Sequence, residues 1–253
     1  MTFLHRAASA WKRHGARNFI RLAAYNARLK LFSAGIEPKP DEFDAQYGTD
    51  TFKVKEVGAL DIPAAAARDA VRYQPSSSTL VFESISALPI AQEDFSFIDY
   101  GSGKGRVLMI AAQFPFRRVV GFEISSELHG IATENLSRLP VHVRGAGRVL
   151  SVQCDAREAT LPSDNLVCYF YNPFGERVME AVATQLRQHV LKGHDLYVIY
   201  TNPRFRGVFT SGSDFLVLRD SEHILIARGR PQAQSLGDDT SSDTSLKNTP
   251  RPG

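Results

Sequence analysis

Four polar residues stand where apolar runs of the sequence end: Asp99, Glu123, Asp155 and Asn172. The runs before them are short and rich in β-branched and aromatic residues, which is typical of buried strands. They alternate with helical segments, and this alternation predicts a mostly parallel sheet covered by helices on both faces. In open sheets of this class, ligands bind beyond the carboxyl ends of the strands. The four polar residues are therefore candidates for a binding site.

A glycine-rich turn follows the first of these runs. The sequence GSGKG, residues 101–105, has glycine at alternate positions, comes directly after the apolar run FSFIDY and precedes a helical segment. A strand, a glycine turn and a helix in this order are the setting of nucleotide-binding loops. A phosphate loop requires Ser or Thr after its Gly-Lys pair, and Gly105 stands there instead. A dinucleotide fingerprint requires a further glycine or alanine at the position of Arg106.

A third type of nucleotide site fits this pattern. Asp99, the alternate glycines and Glu123 together resemble the cofactor site of class I S-adenosylmethionine-dependent methyltransferases, over about residues 70–230. The resemblance implies a methyltransferase with S-adenosyl-L-methionine as its cofactor. It also implies a methyl-acceptor substrate, for which a nitrogen atom on a protein side chain or a small molecule is the expected acceptor.

The resemblance assigns roles to the same positions. Asp99 would face the amino group of the ligand, directly or through water. Glu123 would accept hydrogen bonds from both ribose hydroxyls, which suits the two oxygens of a carboxylate. Asp155 would hold the adenine amino group. The turn would bring its backbone close to the methionine moiety and the ribose, and its residues are Gly101, Ser102, Gly103 and Gly105.

A second resemblance lies before the glycine turn. The sequence YQPSSSTLVFESISAL, residues 73–88, is similar to the segment that folds over the cofactor in lysine methyltransferases of the seven-strand and telomeric-silencing types. The chain from FDAQYGTDT (43–51) onward is similar to a bacterial family of predicted methyltransferases with no settled substrate. The resemblance implies that Tyr73 contacts the cofactor. A core aromatic residue is the other interpretation of Tyr73.

The fourth apolar run ends in Asn172-Pro173-Phe174. Class I methyltransferases that act on amines carry a similar motif with two prolines, in which the first residue accepts hydrogen bonds from the amine and the aromatic ring stacks on it. By this resemblance Asn172 and Phe174 line the transfer site, and Tyr73 is expected to line it with them. Because one proline is missing, a planar base amine is not a firm expectation. Asn before Pro is also a common turn sequence, and this structural interpretation stays open.

The chain divides into three parts by composition. Residues 51–230 carry the strand and helix pattern and are predicted to form the methyltransferase domain, whose last two strands (214–229) form an antiparallel hairpin. Residues 231–253 are poor in apolar side chains and predict a disordered tail. Residues 1–50 are predicted to form a basic helical extension, because Lys and Arg recur there with apolar residues at helical spacing.

The basic extension has three interpretations. It is a helical lid on the main domain, a surface for nucleic acid or another anionic partner, or a mitochondrial presequence. The chain has no apolar run of the roughly 20 residues that span a bilayer, and its cysteines, Cys154 and Cys168, form no CxxC pair. These features predict a cytoplasmic protein with reduced, buried thiols and no metal site. Lys104, inside the glycine turn, is expected to face solvent.

Two other functions are compatible with the sequence. One is a nicotinamide-dependent oxidoreductase on a related sheet, although Arg106 and the lack of a Tyr-x-x-x-Lys set argue against it. The other is a non-catalytic nucleic-acid-binding module that uses the basic extension and retains a vestigial cofactor pocket.

Overall fold

The structure is a computed structural model that describes residues 42–144 and 148–230. The predicted tail (231–253) and residues 1–41 of the predicted basic extension lie outside the described residues. The remainder of the extension contains the short helix Glu42–Tyr47. No helix in the described part of the chain is long and apolar enough to cross a membrane.

A single seven-stranded sheet organises these residues. Its strands in chain order are β1 (Phe95–Tyr100), β2 (Val119–Glu123), β3 (Val149–Gln153), β4 (Asn165–Tyr171), β5 (Leu196–Thr201), β6 (Phe215–Asp220) and β7 (Ile224–Gly229). Their order across the sheet is β3-β2-β1-β4-β5-β7-β6. The first five strands are mutually parallel, whereas β7 runs antiparallel to both β5 and β6. The predicted doubly wound α/β sheet with a C-terminal antiparallel hairpin is confirmed.

The apolar runs form central strands because both of their faces are covered. Successive residues of β1 alternate between two cores, with Phe97 on one face and Ile98 on the other. The first core packs against the helices Ser78–Ser86, Arg106–Ala111 and Ser126–Ser137. The second packs against the helices Glu176–Leu191 and Gly207–Thr210. All six residues of β1 and of β5 are buried, which explains why their sequences are nearly continuous in apolar residues.

The strand register brings the predicted polar positions to one edge. Asp99 pairs with Gly121 in β2 and with Tyr169 in β4, and Glu123 pairs with Gln153 in β3. The reversal of strand order between β1 and β4 leaves a crevice above their carboxyl ends, where open α/β sheets bind ligands. The remaining described helices are short: Ala64–Ala67, Val141–Arg144 and the 3₁₀ turns Val57–Ala59, Gln92–Asp94 and Ala156–Glu158.

Candidate functional site

One pocket above the carboxyl ends of β1, β2 and β4 contains almost all of the predicted site residues. It is lined by Tyr73, Asp99, Gly101, Ser102, Gly103, Glu123, Asp155, Asn172 and Phe174. Gly105 is the predicted residue that does not line the pocket. It sits at the start of the helix Arg106–Ala111 with φ 84°, and a Cβ there would lie 3.2 Å from Ala132 Cβ. The left-handed backbone and the close packing against the neighbouring helix therefore explain why residue 105 is glycine.

Two buried carboxylates lie together at the floor of the pocket. Asp99 is 2% exposed, and no described residue makes a hydrogen bond to its Oδ2 atom. Glu123 is also buried, and neither carboxylate forms an ion pair with any residue that the structure describes. Burial, together with the negative charge of Glu123, raises the pKa of Asp99 well above its ordinary value. Arg72, Arg106 and Arg157 also line the pocket, but none of them forms an ion pair with Asp99 or Glu123.

Glu123 also orders the glycine turn. Its Oε2 accepts a hydrogen bond of 2.7 Å from the amide of Gly103, and its Oε1 accepts one of 2.9 Å from the amide of Ser125. Burial raises the pKa of Glu123, although these amide hydrogen bonds oppose the rise. Each carboxylate oxygen retains a second acceptor position, because one amide uses only one lone pair.

The turn approaches other parts of the chain so closely that side chains are excluded. Gly101 and Gly103 have φ values of 72° and 53°. A Cβ on Gly101 would lie 2.5 Å from Pro173 Cβ, and a Cβ on Gly103 would lie 2.3 Å from Tyr73 Cε2. Like Gly105, these two glycines accommodate residues that lie far from the turn in the sequence.

Tyr73 covers the glycine turn, and its hydroxyl is bonded to a backbone carbonyl that lies outside the pocket lining. The hydroxyl donates a hydrogen bond of 2.5 Å to the carbonyl of Thr51, and Lys104 Nζ lies 5.5 Å from the ring centroid. Burial raises the pKa of Tyr73 far above its ordinary value. The residue therefore offers the pocket an aromatic surface and no proton acceptor.

Asp155 caps a short turn and is engaged with a neighbour. Its Oδ1 accepts hydrogen bonds from the amide and Nε of Arg157, and its Oδ2 lies 2.6 Å from Nη2 of the same residue. These contacts outweigh the effect of partial burial and lower the pKa of Asp155. Asp155 is thus ionised in the pocket wall, with Arg157 beside it.

Asn172 has a strained backbone and an unsatisfied side chain. Its φ is 45°, in the left-handed region that non-glycine residues rarely adopt and that a following proline disfavours further. The side chain is 6% exposed, and Oδ1 has no hydrogen-bond partner among the described residues. Asn202, which follows the adjacent strand β5, repeats this geometry with φ 49°, but its side chain is exposed. Strain and an orphan buried acceptor at one residue are typical of a functional site.

A strap formed by residues 55–76 crosses the pocket and supplies lining residues that the sequence did not reveal. Asp61 accepts hydrogen bonds from Ser125, Ser126 and the amide of Glu127, at the β2 side of the pocket. On the β4 side, the carbonyl of Asp69 accepts a hydrogen bond of 2.8 Å from the amide of Gly175. The further lining residues from the strap include Leu60, Ile62, Gln74 and Ser76.

The resemblance of residues 73–88 marks only the end of the strap, and residues 55–72 carry no sequence signal because they lack regular periodicity. Ala70 forms an isolated antiparallel bridge with Phe174, so the strap is hydrogen-bonded to the Asn172-Pro173-Phe174 loop. Tyr171, at the end of β4, also lines the pocket and was not predicted from the sequence. Its hydroxyl accepts a hydrogen bond of 2.9 Å from Gln74 Nε2.

Two expectations from the sequence need correction. Lys104 is only 4% exposed, because its Nζ pairs with Asp50 at 3.0 Å beneath the turn; the prediction that it faces solvent is wrong. Cys168 is buried as expected, whereas Cys154 is only partly buried and lines the pocket. Among the described residues, no group of three or more His, Cys, Asp or Glu side chains could hold a metal ion.

Comparison with known proteins finds similar solved structures but no matching family. No protein-family model and no curated protein matches the chain. Similar solved structures include the ribosomal protein L11 methylase of Lactobacillus delbrueckii subsp. bulgaricus, with 16% identity over 61% of this chain and 76% of that one, at a TM-score of 0.41. An RNA methyltransferase of Salinibacter ruber in complex with S-adenosyl-L-homocysteine has 20% identity over 63% and 95%, at a TM-score of 0.39.

A third similar structure is the magnesium protoporphyrin IX methyltransferase of Synechocystis PCC 6803 with bound S-adenosylmethionine. It has 16% identity over 60% of this chain and 77% of that one, at a TM-score of 0.39. Identities and TM-scores this low assign no substrate to the present chain. The sheet itself, with five parallel strands and an antiparallel β5-β7-β6 end, matches the methyltransferase α/β fold.

Proposed function

We propose that the chain is an S-adenosyl-L-methionine-dependent methyltransferase that acts on a nitrogen of a protein side chain or a small molecule. The observation that carries this proposal is the pair of buried carboxylates, Asp99 and Glu123, at neighbouring strand ends beside a glycine turn. Neither has a cationic partner among the described residues, and Asp99 retains an unpartnered oxygen.

The pocket residues fit this cofactor. A buried carboxylate without a partner is unfavourable in the free protein, so the pocket favours a ligand that brings positive charge and hydrogen-bond donors. S-adenosyl-L-methionine carries an ammonium group, a sulfonium and two ribose hydroxyls. The unpartnered Oδ2 of Asp99 suits the ammonium group, and the free acceptor positions of Glu123 suit the hydroxyls.

The pocket wall supplies the remaining proposed contacts. Asp155 stands beside the partly buried Cys154 at the end of β3, where the adenine amino group would find an acceptor. Gly101 and Gly103 present their backbone toward the same pocket. Gly105 lies outside the pocket lining, where its lack of a side chain leaves room for Ala132. The Tyr73 ring closes the side of the pocket above Gly103.

The proposed mechanism requires the protein to orient two reactants and to exclude water. The cofactor supplies a methyl group on a positively charged sulfur, already activated for in-line displacement. Holding donor and nucleophile in line is worth roughly 7–11 kcal/mol, so the pocket needs little acid–base chemistry. The strap covers the pocket from the β2 side to the β4 side and would keep water from the transferring group.

Asn172 and Phe174 support a nitrogen acceptor. The buried Oδ1 of Asn172 has no donor within the described structure, and an N–H of the acceptor would satisfy it. Phe174 is held by the Ala70 bridge and offers an apolar wall beside it. A hydrogen bond to Asn172 would fix the nitrogen lone pair toward the methyl donor.

The test is calorimetric titration with S-adenosyl-L-homocysteine. We expect micromolar binding to the wild-type protein and binding weakened about tenfold or more in Glu123→Gln, because a charge-assisted hydrogen bond is lost. Gln preserves the shape of the side chain and can keep one of the two amide hydrogen bonds, and circular dichroism of the variant checks that it is folded. Glu180→Gln is the control, since Glu180 is exposed on the helix Glu176–Leu191.

Two results would overturn the proposal. One is the absence of binding to a folded wild-type protein. The other is binding of NADH that competes with S-adenosyl-L-homocysteine and is weakened in Glu123→Gln as much as the binding of S-adenosyl-L-homocysteine. That result would indicate a nicotinamide site instead.

A further inference from the structure

We propose that Asp44, which lies outside the pocket lining, is a positioning residue of the pocket and acts through Thr51 on Tyr73 and the glycine turn. The ligand-binding part of this inference rests on the proposed function. Its structural part is that Asp44 holds the glycine turn in one conformation in the ligand-free protein, and this part does not depend on the proposed function.

Asp44 organises the short loop formed by residues 49–52. Its Oδ1 accepts hydrogen bonds from the hydroxyls of Thr49 (2.8 Å) and Thr51 (2.6 Å), and its Oδ2 accepts from the amides of Thr51 and Phe52, both at 2.9 Å. Burial acts to raise the pKa of Asp44, but these hydrogen bonds outweigh it and lower the pKa. A carboxylate with this many donors fixes the loop in one conformation.

Thr51 transmits this order to the pocket. It is fully buried, its carbonyl accepts the hydroxyl hydrogen bond of Tyr73, and its own hydroxyl accepts a 2.8 Å hydrogen bond from Arg106 Nε. Tyr73 lies over Gly103, and Arg106 is the first residue of the helix that follows the turn. Thr51 is thus hydrogen-bonded both to the residue that covers the glycine turn and to the first residue of the helix after it.

Other contacts bind the loop to the same turn. Lys104 Nζ pairs with Asp50 at 3.0 Å, and Asn135 Nδ2 donates to the carbonyl of Lys104 at 2.9 Å. The amide of Asp50 donates to Asn135 Oδ1 at 3.2 Å. The guanidinium of Arg106 lies 4.5 Å from the ring centroid of Phe43, the neighbour of Asp44. The loop is therefore packed beneath the turn, and its displacement would release Lys104, Arg106 and Tyr73 together.

The consequence for the pocket follows from the Tyr73 ring. Its edge occupies the position where any side chain on residue 103 would lie. The amide of Gly103 is in turn bonded to Glu123, the proposed ribose-binding residue. Loss of the Asp44 hydrogen bonds would loosen Thr51, free the Tyr73 hydroxyl and allow the turn to fluctuate, which lowers ligand affinity by removing preorganisation.

Hydrogen exchange of the Gly103 amide in the ligand-free protein tests the structural part. We expect Asp44→Asn and Tyr73→Phe each to increase this exchange rate at least fivefold, with amides of β5 unchanged. The control is Glu42→Gln on the same helix, because Glu42 is exposed and is expected to leave the rate unchanged. Unchanged Gly103 exchange in Asp44→Asn would overturn the proposal, whether or not the protein binds ligand.

The affinity of each variant for S-adenosyl-L-homocysteine distinguishes a positioning role of Asp44 from a general loss of protein stability. We expect Asp44→Asn and Tyr73→Phe to raise Kd about three- to tenfold at a temperature where both are fully folded. Val182→Ala, in the opposite core, lowers stability and is expected to leave Kd unchanged. The double variant Asp44→Asn/Tyr73→Phe should raise Kd no more than the larger single variant, because both break one link.

The outcomes of the affinity measurement are distinct. Strictly multiplicative effects on Kd in the double variant, or a Val182→Ala variant that weakens binding as much as Asp44→Asn, would overturn the positioning role. A wild-type protein that binds no S-adenosyl-L-homocysteine would overturn the proposed function instead. The exchange experiment would then still decide whether Asp44 orders the turn.

Discussion

The ring of Tyr73 lies against Gly103 so closely that a Cβ on residue 103 would be 2.3 Å from the ring carbon Cε2. This contact joins the strap, which carries Tyr73, to the turn after β1. It predicts that Gly103→Ala is destabilising for two separate reasons. Alanine at φ 53° costs about 1–2 kcal/mol, and displacement of the ring adds about 1–3 kcal/mol.

Urea denaturation of matched alanine variants separates these two terms. Gly193→Ala has φ 93° and open space, so it should cost only about 1–2 kcal/mol. Gly130→Ala lies in a helix with nothing nearby and should gain about 0.5–1 kcal/mol. In a Tyr73→Ala background, Gly103→Ala should cost about as much as Gly193→Ala. An undiminished cost there would show that the ring contact is irrelevant.

Asp99→Asn should increase the stability of the ligand-free protein at neutral pH. The pKa of Asp99 is raised in the folded state by burial and by Glu123, so the native protein retains a proton that the unfolded chain releases above about pH 4. Stability from this group is therefore fully present below that pH and is lost as pH rises toward the higher native pKa. The free energy of unfolding, measured between pH 4 and 8, should decline less with pH in Asp99→Asn. Equal slopes in the two proteins would contradict the raised pKa.

The same residue predicts proton release on ligand binding. A bound ammonium group favours the ionised form of Asp99, so binding of S-adenosyl-L-homocysteine should release protons and tighten as pH rises from 5 to 8. Calorimetry in buffers of different ionisation enthalpy measures the number of protons released. We expect most of this release to disappear in Asp99→Asn, together with at least a tenfold loss of affinity. Proton uptake on binding would be incompatible with this assignment.

Asp61→Ala should loosen the strap at its β2 side. Asp61 is held by the hydroxyls of Ser125 and Ser126, and these hydrogen bonds lower its pKa to about 2. We expect trypsin to cleave the variant faster after Arg68 and Arg72, both within the strap. Asp220→Ala breaks the surface pair with Arg206 and is the control. The prediction fails if the two variants are cleaved in the strap at the same rate.

Asn172→Gly should stabilise the protein, although it removes the side chain proposed to bind the methyl acceptor. The substitution relieves a left-handed backbone and deletes a buried carbonyl oxygen that has no partner, for a gain of about 1–2 kcal/mol. Asn202→Gly shares the backbone conformation but not the burial, so its gain should be about 0.5 kcal/mol or less. Thermal unfolding compares the two variants. Destabilisation by Asn172→Gly would mean that its side chain supports the turn.

Several features of the site could be predicted from the sequence because they depend on local patterns. The apolar runs identified the five parallel strands and the closing hairpin, and the polar residue at each strand end identified Asp99, Glu123, Asp155 and Asn172. These positions converge because parallel strands end at one edge of a sheet. The glycine turn was recognised for the same reason, since it follows a strand and precedes a helix.

The tertiary structure alone decided what the glycines accommodate and what closes the pocket. Tyr73, Pro173 and Ala132 meet the turn through long-range packing that no local pattern encodes. The strap has no periodicity, and Lys104 has the composition of a surface residue, yet its ammonium group is buried against Asp50. A sequence pattern reports which face of a strand or helix is apolar. It does not report how residues 55–72 cover the ends of the strands, because that depends on the summed contacts of the folded chain.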